Sequence, residues 1–369
     1  MRRGRQAWRQ GVQRNESNDY CKADARLDRS DSLCLWSAQR DTSPEMGGNC
    51  ISGGRSVAAL FRSQQEQTMT SINAAEASIP QLIEKPLAGD VVYFDGRYMP
   101  KSEVRVSPDD RGFLLGDGIY EVAAAYGGSF VALDRHMDRL RRSLKEARID
   151  DSVADPLETV FIELLERNGF SGPGKTMVYL QVTRGVAPRS HAFPKIPIRP
   201  TVYAYAAPFP NMGDLSAGVA AITRPDMRWS RCDIKVISLI ANCLANQEAK
   251  EAGAFEAILI RDGVALEGTH TSFFGVRNGV IRTAPLSNLI LPGVTREITI
   301  EAVLRDGIEV VEEPIPEREL HSMDELFITG TTTEVVPVTK LDGAQVGNGS
   351  AGPVTARAMQ LYRSAAGII

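Results

Sequence analysis

Four dipeptides constrain what sheets this chain can build. Asp95-Gly96, Gly127-Gly128, Asp262-Gly263 and Asn278-Gly279 each stand between two short strand-like runs. Turns of this composition tolerate positive φ at both positions and join neighbouring strands as hairpins. Around them, "VVYFDGRYMP" (91–100) and "IYEVAAAYGGSFVAL" (119–133) read as strand pairs. "DRHMDRLRRSLKEARI" (134–149) and "DPLETVFIELLERNG" (155–169) carry apolar residues at helical spacing. "KTMVYLQVTRG" (175–185) and "RPTVYAYAAP" (199–208) are strands that bound a loop.

The prolines and glycine of "APFPNMGD" (207–214) mark a connection. Beyond it the pattern predicts a strand at 217–223, a helix opening at Val236, and short strands with tight turns. A helix at 295–306, strands near 308–313, 325–329 and 334–341, and a closing helix at 353–366 complete the chain. The expected class is α+β: a small N-terminal α/β domain over 86–206, a linker at 207–213, and a strand-rich, barrel-like domain over 214–369.

Residues 1–85 read differently, with an arginine-rich opening followed by Ser, Gly, Gln and Asn without a sustained period. That is the composition of a disordered segment. Early acidic residues (Glu16, Asp19, Asp24) argue against an organellar transit peptide, and no apolar core precedes a small-residue cleavage site. Two readings stay open: a disordered extension, or a start placed too far upstream with Met69 the true beginning.

A net charge of −4 gives no electrostatic case for nucleic acid or an anionic membrane. No apolar run is long enough to predict a spanning helix. Five cysteines without a CxxC pair, and four scattered histidines, speak against zinc and for a reducing, cytoplasmic compartment. The lack of GxGxxG after a strand sets aside a nicotinamide dehydrogenase.

"SRCDIKVISLIANCLANQEAK" (230–250) puts Lys235 ahead of Val236, Ile240, Cys243 and Leu244, the spacing of a helix with a wide buried face. Either Lys235 caps that helix and stretches to water, or it is a functional amine. In "LPGVTREITIEAVLRDG" (291–307), Thr295 reads as a helix N-cap, leaving the N–H groups of Gly293, Val294 and Thr295 for an anion. "ITGTTTEVVPV" (328–338) adds hydroxyls at a strand end, and Arg139 sits one step off the apolar stripe of its helix. Glu267 follows a strand, while Arg184, Arg189 and His191 share a loop suited to a carboxylate. Each feature alone has an ordinary alternative: a capped helix, a polar turn, a solvated arginine, a flexible basic loop. Together they are the means of pyridoxal phosphate chemistry: an amine for a Schiff base, a carboxylate for the ring nitrogen, and donors for a phosphate.

The order and wording of several stretches resemble the class IV aminotransferases, the fold-type IV pyridoxal phosphate enzymes. They include "DRGFLLGDGIYEV" (110–122), "HMDRL" (136–140), "RSHAFP" (189–194), "RCDIK" (231–235), "LEG" (266–268), "LPGVTRE" (291–297) and "MDELFITGTTTEVVPV" (323–338). Within the family the likeness is to D-amino acid aminotransferases. The resemblance implies a small α/β domain and a larger pseudo-barrel domain, with pyridoxal 5′-phosphate as cofactor. It implies Lys235 as the Schiff-base lysine, Glu267 at the pyridine nitrogen, and Leu291 against the ring. Arg139, Val294, Thr295 and Thr331 correspond to phosphate ligands. Tyr120, Arg189 and His191 correspond to a carboxylate trap whose Arg and His come from the neighbouring subunit, hence a homodimer.

Two residues depart from the pattern: Ala124 where D-enzymes carry lysine, and His270 where small hydroxyl residues are usual. The activity implied is transfer of an amino group from an amino acid, D-alanine or D-glutamate foremost, to a 2-oxo acid. A branched-chain L-amino acid or (R)-amine aminotransferase, an aminodeoxychorismate lyase, and a non-catalytic protein of the same fold are the alternatives.

Overall fold

The computed structural model describes residues 89–209 and 212–368, and the reading of residues 1–85 lies outside them. The first sheet holds β1 (Val91–Phe94), β2 (Arg97–Pro100), β3 (Gly118–Tyr126), β4 (Ser129–Phe130), β5 (Lys175–Thr183) and β6 (Thr201–Pro208). Their order is β2-β1-β6-β5-β3-β4, every neighbouring pair antiparallel. Asp95 and Gly96 take φ of 48° and 92°, and Gly127 and Gly128 take 58° and 82°. Both hairpins therefore use the positive pair that their composition favours.

Alternation along the strands sorts the sheet's two faces. Ile119, Ala123 and Ala125 of β3 pack with Leu140 and Leu144 of α2 (Leu133–Glu146) and Phe161 and Leu164 of α3 (Leu157–Arg167) in one core. Tyr120 falls on the opposite register and stacks on Tyr179, which stacks on Tyr205, with centroids 5.8 and 5.3 Å apart. Glu121 shares the register of the apolar residues and is fully buried. A buried carboxylate needs partners, and α2 supplies them.

The second sheet contains β7 (Val219–Pro225), β8 (Glu256–Arg261), β9 (Val264–Gly268), β10 (Ser272–Arg277), β11 (Val280–Thr283), β12 (Val310–Glu312), β13 (Ile315–Pro316), β14 (Glu325–Gly330), β15 (Glu334–Leu341) and β16 (Ala344–Gln345). The path β10-β14-β15-β7-β8-β9 returns to its start because Ser272 of β10 pairs with Glu267 of β9. This closed circuit is the barrel-like unit. Phe273 joins Ile258, Ile328 and Val336 in one core. Its neighbour Phe274 joins Phe327, Val335 and residues of α5 (Val294–Arg305) and α6 (Pro353–Ala365) in another. Strands covered on both faces account for the long apolar runs.

The structure revises the sequence reading in several places. No helix begins at Val236: Tyr120 N–H donates to the Lys235 carbonyl at 2.9 Å, and Ile237 N–H donates to the Gly118 carbonyl at 3.1 Å. The β-branched pair Val236–Ile237 thus lies along the start of β3, and α4 spans Ile240–Glu251. Nor is its face wide and buried, since Ile240 and Leu244 are 73% and 60% exposed. Thr295 is not an N-cap; Gly293 holds that position and Thr295 lies inside α5. β6 continues through Pro208, with Ala207 paired to Met177, so the first part of the expected 207–213 linker is strand. A short α1 (Arg111–Leu115), β13 and β16 carry too few residues to show a period. Among the described residues no helix is long and apolar enough to cross a membrane.

Candidate active site

One cavity of about 390 Å³ gathers most of the residues singled out from the sequence. Lys235, Glu267, Arg139, Tyr120, Leu291, Val294, Thr295 and Thr331 all line it. Arg189 and His191 do not; both are exposed on the β5–β6 connection. Arg184 separates from them altogether. It is buried and spends its guanidinium on Asp117, at 2.8 and 2.9 Å, because the cost of burying a cation demands a carboxylate beside it. Arg184 therefore drops out of the expected Arg184–Arg189–His191 receptor.

Lys235 is held by its backbone on the edge of β3, and its side chain lines the cavity. Its Nζ lies 4.0 Å from the centre of the Tyr120 ring, where the π face favours a cation. Glu267, one residue before the end of β9, lines the same cavity and is itself paired with Ser272 where the barrel closes. The Leu291 N–H donates to its Oε2 at 3.1 Å and Arg228 Nη1 donates to its Oε1. Arg228 is shared: its Nε and Nη2 donate to Asp226 at 2.9 and 3.0 Å. Burial pushes the Glu267 carboxyl up to about 7; Arg228 opposes this, and the nearby Asp226 charge adds to it. Arg228 is itself held firmly protonated by Asp226 and Glu267 against the cost of burial. Asp226, which accepts from both Nε and Nη2, is the main counter-ion of Arg228, and Glu267 accepts from Nη1 alone.

Arg139, also in the lining, is buried against Glu121, with Nε–Oε2 2.9 Å and Nη2–Oε1 2.6 Å. His136 Nδ1 lies 2.9 Å from the same carboxylate. Burial alone would raise the Glu121 carboxyl, but Arg139 and His136 hold it far below the usual range. Burial also keeps His136 below its ordinary value despite that carboxylate. Arg139 Nη1 reaches the Pro292 carbonyl at 3.0 Å, which sets it beside the first turn of α5. No side chain caps α5 at Gly293, so its first N–H groups are left for an anion. The buried Thr329 hydroxyl lines the cavity and has no hydrogen-bond partner among the described residues. An arginine, an uncapped helix start, an unpartnered hydroxyl, a lysine and a buried carboxylate in one cavity suit a phosphorylated pyridine aldehyde.

The family described as "Amino-transferase class IV" matches residues 118–341. This chain belongs to the class IV aminotransferases. Class IV aminotransferases use pyridoxal 5′-phosphate, and the activity of this chain is pyridoxal-phosphate-dependent transamination. It is 44% identical over 266 residues to a D-alanine aminotransferase of Bacillus licheniformis, an alignment covering 72% of this chain and 93% of that one. The fold matches the branched-chain amino acid aminotransferase of Escherichia coli with a TM-score of 0.69 at 26% identity, covering 74% of this chain and 93% of that chain. A branched-chain aminotransferase from the thermophilic archaeon Thermoproteus uzoniensis, solved with norvaline, matches at TM-score 0.67 and 28% identity, covering 76% and 95%.

Several residues of this class IV site escaped the sequence reading. Arg228 had no periodic signal to separate it from Arg231, which lies at the surface on Asp233 and Glu146. Glu121 did leave a trace, as a carboxylate on the apolar register of β3 near an arginine on the next helix. Ala124 is buried on β3 but does not line the cavity, whereas His270 does. Its Nδ1 lies 3.0 Å from Glu256. Burial would raise that carboxyl, yet His270, Thr269 and Thr271 bring it down to about 2.

Proposed function

We propose that this aminotransferase moves the amino group of a D-amino acid, D-alanine or D-glutamate foremost, to a 2-oxo acid, using pyridoxal 5′-phosphate. The observation that carries this reading is that Lys235, Glu267, Arg139 and the uncapped start of α5 line one cavity. When bound, the cofactor supplies the carbonyl that takes up nitrogen and the ring that withdraws electrons from Cα. Arg139 and the N–H groups of Val294 and Thr295, with Thr331, would hold its phosphate, and Leu291 would pack on its ring. Glu267 would accept a hydrogen bond from the ring nitrogen and so keep the positive charge there. Lys235 Nζ, the one lysine in the lining among the described residues, would remove the Cα proton as general base and, as general acid, deliver it to the cofactor carbon that held the carbonyl instead of back to Cα.

The enantiomer is selected by how the α-carboxylate is held. Tyr120 stands in the cavity, and Arg189 and His191 are exposed with no side-chain partner among the described residues. In this reading a second copy presents that loop to the cavity, so the working unit is a homodimer, placed in the cytoplasm. The relative named a D-alanine aminotransferase supports the D-enantiomer; the likeness to branched-chain enzymes supports a second reading, an L-branched-chain donor.

D-alanine, D-glutamate, L-leucine and (R)-1-phenylethylamine, mixed singly with holoenzyme, should separate the readings. The D-amino acids are expected to bleach the visible cofactor band, and bleaching by L-leucine alone would overturn the assignment. Lys235→Ala should lose both that band and turnover, and normal turnover in this variant would end the proposal.

A further inference from the structure

We propose that Asp117, acting through Arg111 and Arg184, is the anchor that sets the position of Arg189 and His191 for substrate binding. This rests on the reading above, in which those two side chains grip the α-carboxylate. The connection between β5 and β6, residues 184–200, has no helix or strand of its own. Long connections of this kind sample many conformations unless tied down. Here the ties converge on the carbonyls beside the two functional residues. Arg111 Nη1 donates to the Ser190 carbonyl at 2.7 Å, with the Ala192 carbonyl at 3.5 Å. Ser190 lies between Arg189 and His191, and Ala192 follows directly.

The second tie is Arg184, whose guanidinium lies 3.7 Å from the centre of the Phe193 ring. Both guanidinium groups are set by one carboxylate. Asp117 Oδ2 accepts from Arg111 Nε at 2.7 Å and from Arg184 Nε at 2.8 Å, while Oδ1 accepts from Arg184 Nη2 at 2.9 Å. Arg184 is further fixed on the carbonyls of Ala147 and Arg148 at the end of α2. The base of the loop is stapled to the same segment, with Arg111 N–H on the Gly185 carbonyl and Val186 bridged to Asp110. Gly185 takes φ of +110° there, a conformation that a side chain disfavours.

Two buried cations on one carboxylate are a poor way to gain stability. They are a good way to present a loop, because five N–H groups in a fixed plane can hold several carbonyls at once. Arg111 and Arg184 are thus positioning residues. Without them the loop must be ordered when substrate arrives, which weakens binding and leaves the chemical step alone.

The test compares holoenzyme carrying Arg111→Met, Arg111→Lys, Phe193→Ala or Arg189→Ala, reading kcat, KM for D-alanine, and hydrogen exchange of residues 187–194. Arg111→Met should raise KM roughly tenfold with kcat within about twofold, with faster exchange confined to the loop. Arg111→Lys should recover part of the loss. Phe193→Ala, a change at the half-exposed surface that leaves the core intact, should move KM and exchange the same way by a smaller factor. If Arg189→Ala raises KM while Arg111→Met and Phe193→Ala do not, the anchor is refuted and the carboxylate reading stands. If Arg189→Ala leaves KM unchanged, the carboxylate reading falls and the anchor's purpose falls with it.

Discussion

Glu267→Gln in the cofactor-free protein tests how the carboxylate at the ring-nitrogen end is prepared. In the unfolded chain that carboxyl sits at 4.5, and in the fold burial brings it to about 7. The folded state therefore binds the proton more tightly, so the protonated form adds stability at low pH. That contribution is present below 4.5 and is lost as pH rises through the window up to about 7. Converted at about 1.4 kcal/mol per tenfold change, the loss amounts to about 3 kcal/mol. Glutamine resembles the protonated carboxyl and does not titrate. Urea unfolding at pH 5 and pH 8 should then show wild type losing about 3 kcal/mol more than Glu267→Gln between the two conditions. Adding pyridoxal 5′-phosphate should shrink the difference, because a protonated ring nitrogen beside Glu267 favours its ionised form. Equal pH dependence in wild type and variant would refute the reasoning: Arg228 alone would be holding Glu267 ionised throughout.

Two further outcomes follow from the buried charges and turns. Glu121→Gln strips Arg139 of its ionised partner, so stability should fall by about 3 kcal/mol and the cofactor should dissociate more readily; an unchanged urea midpoint would show that Glu121 is not the counter-ion. Gly128→Ala places a Cβ at φ of 82° and against the Ser171 carbonyl. A loss of about 2 kcal/mol is expected in a thermal melt monitored by circular dichroism, and a melt matching wild type would contradict the turn geometry.

The expected elements rest on local physics, and most of them stand. Gly127-Gly128 and Asn278-Gly279 turn where positive φ is tolerated, and α2 forms where Met137, Leu140 and Leu144 share one stripe. The helix expected at Val236 fails for a tertiary reason. Its first residues are claimed by the edge of β3, a contact with no signature in the local pattern. The exposed Ile240 and Leu244 show the converse, since helical spacing reveals that a face is apolar and says nothing of what covers it.

The same division runs through the site. The amino-acid sequence alone determined which functional groups are available: Lys235, Glu267, Arg139, Tyr120 and the glycine-led start of α5, in the order shared by class IV aminotransferases. Only the tertiary structure decided which charges turn inward and whom they meet. Glu121 finds Arg139 across 18 residues, Glu267 finds Arg228 across 39, and Asp117 finds Arg184 across 67. The physical reason is that a buried ion is tolerated only beside its counter-charge. Residue type and spacing fix the charge, while the fold alone brings its partner within hydrogen-bonding distance.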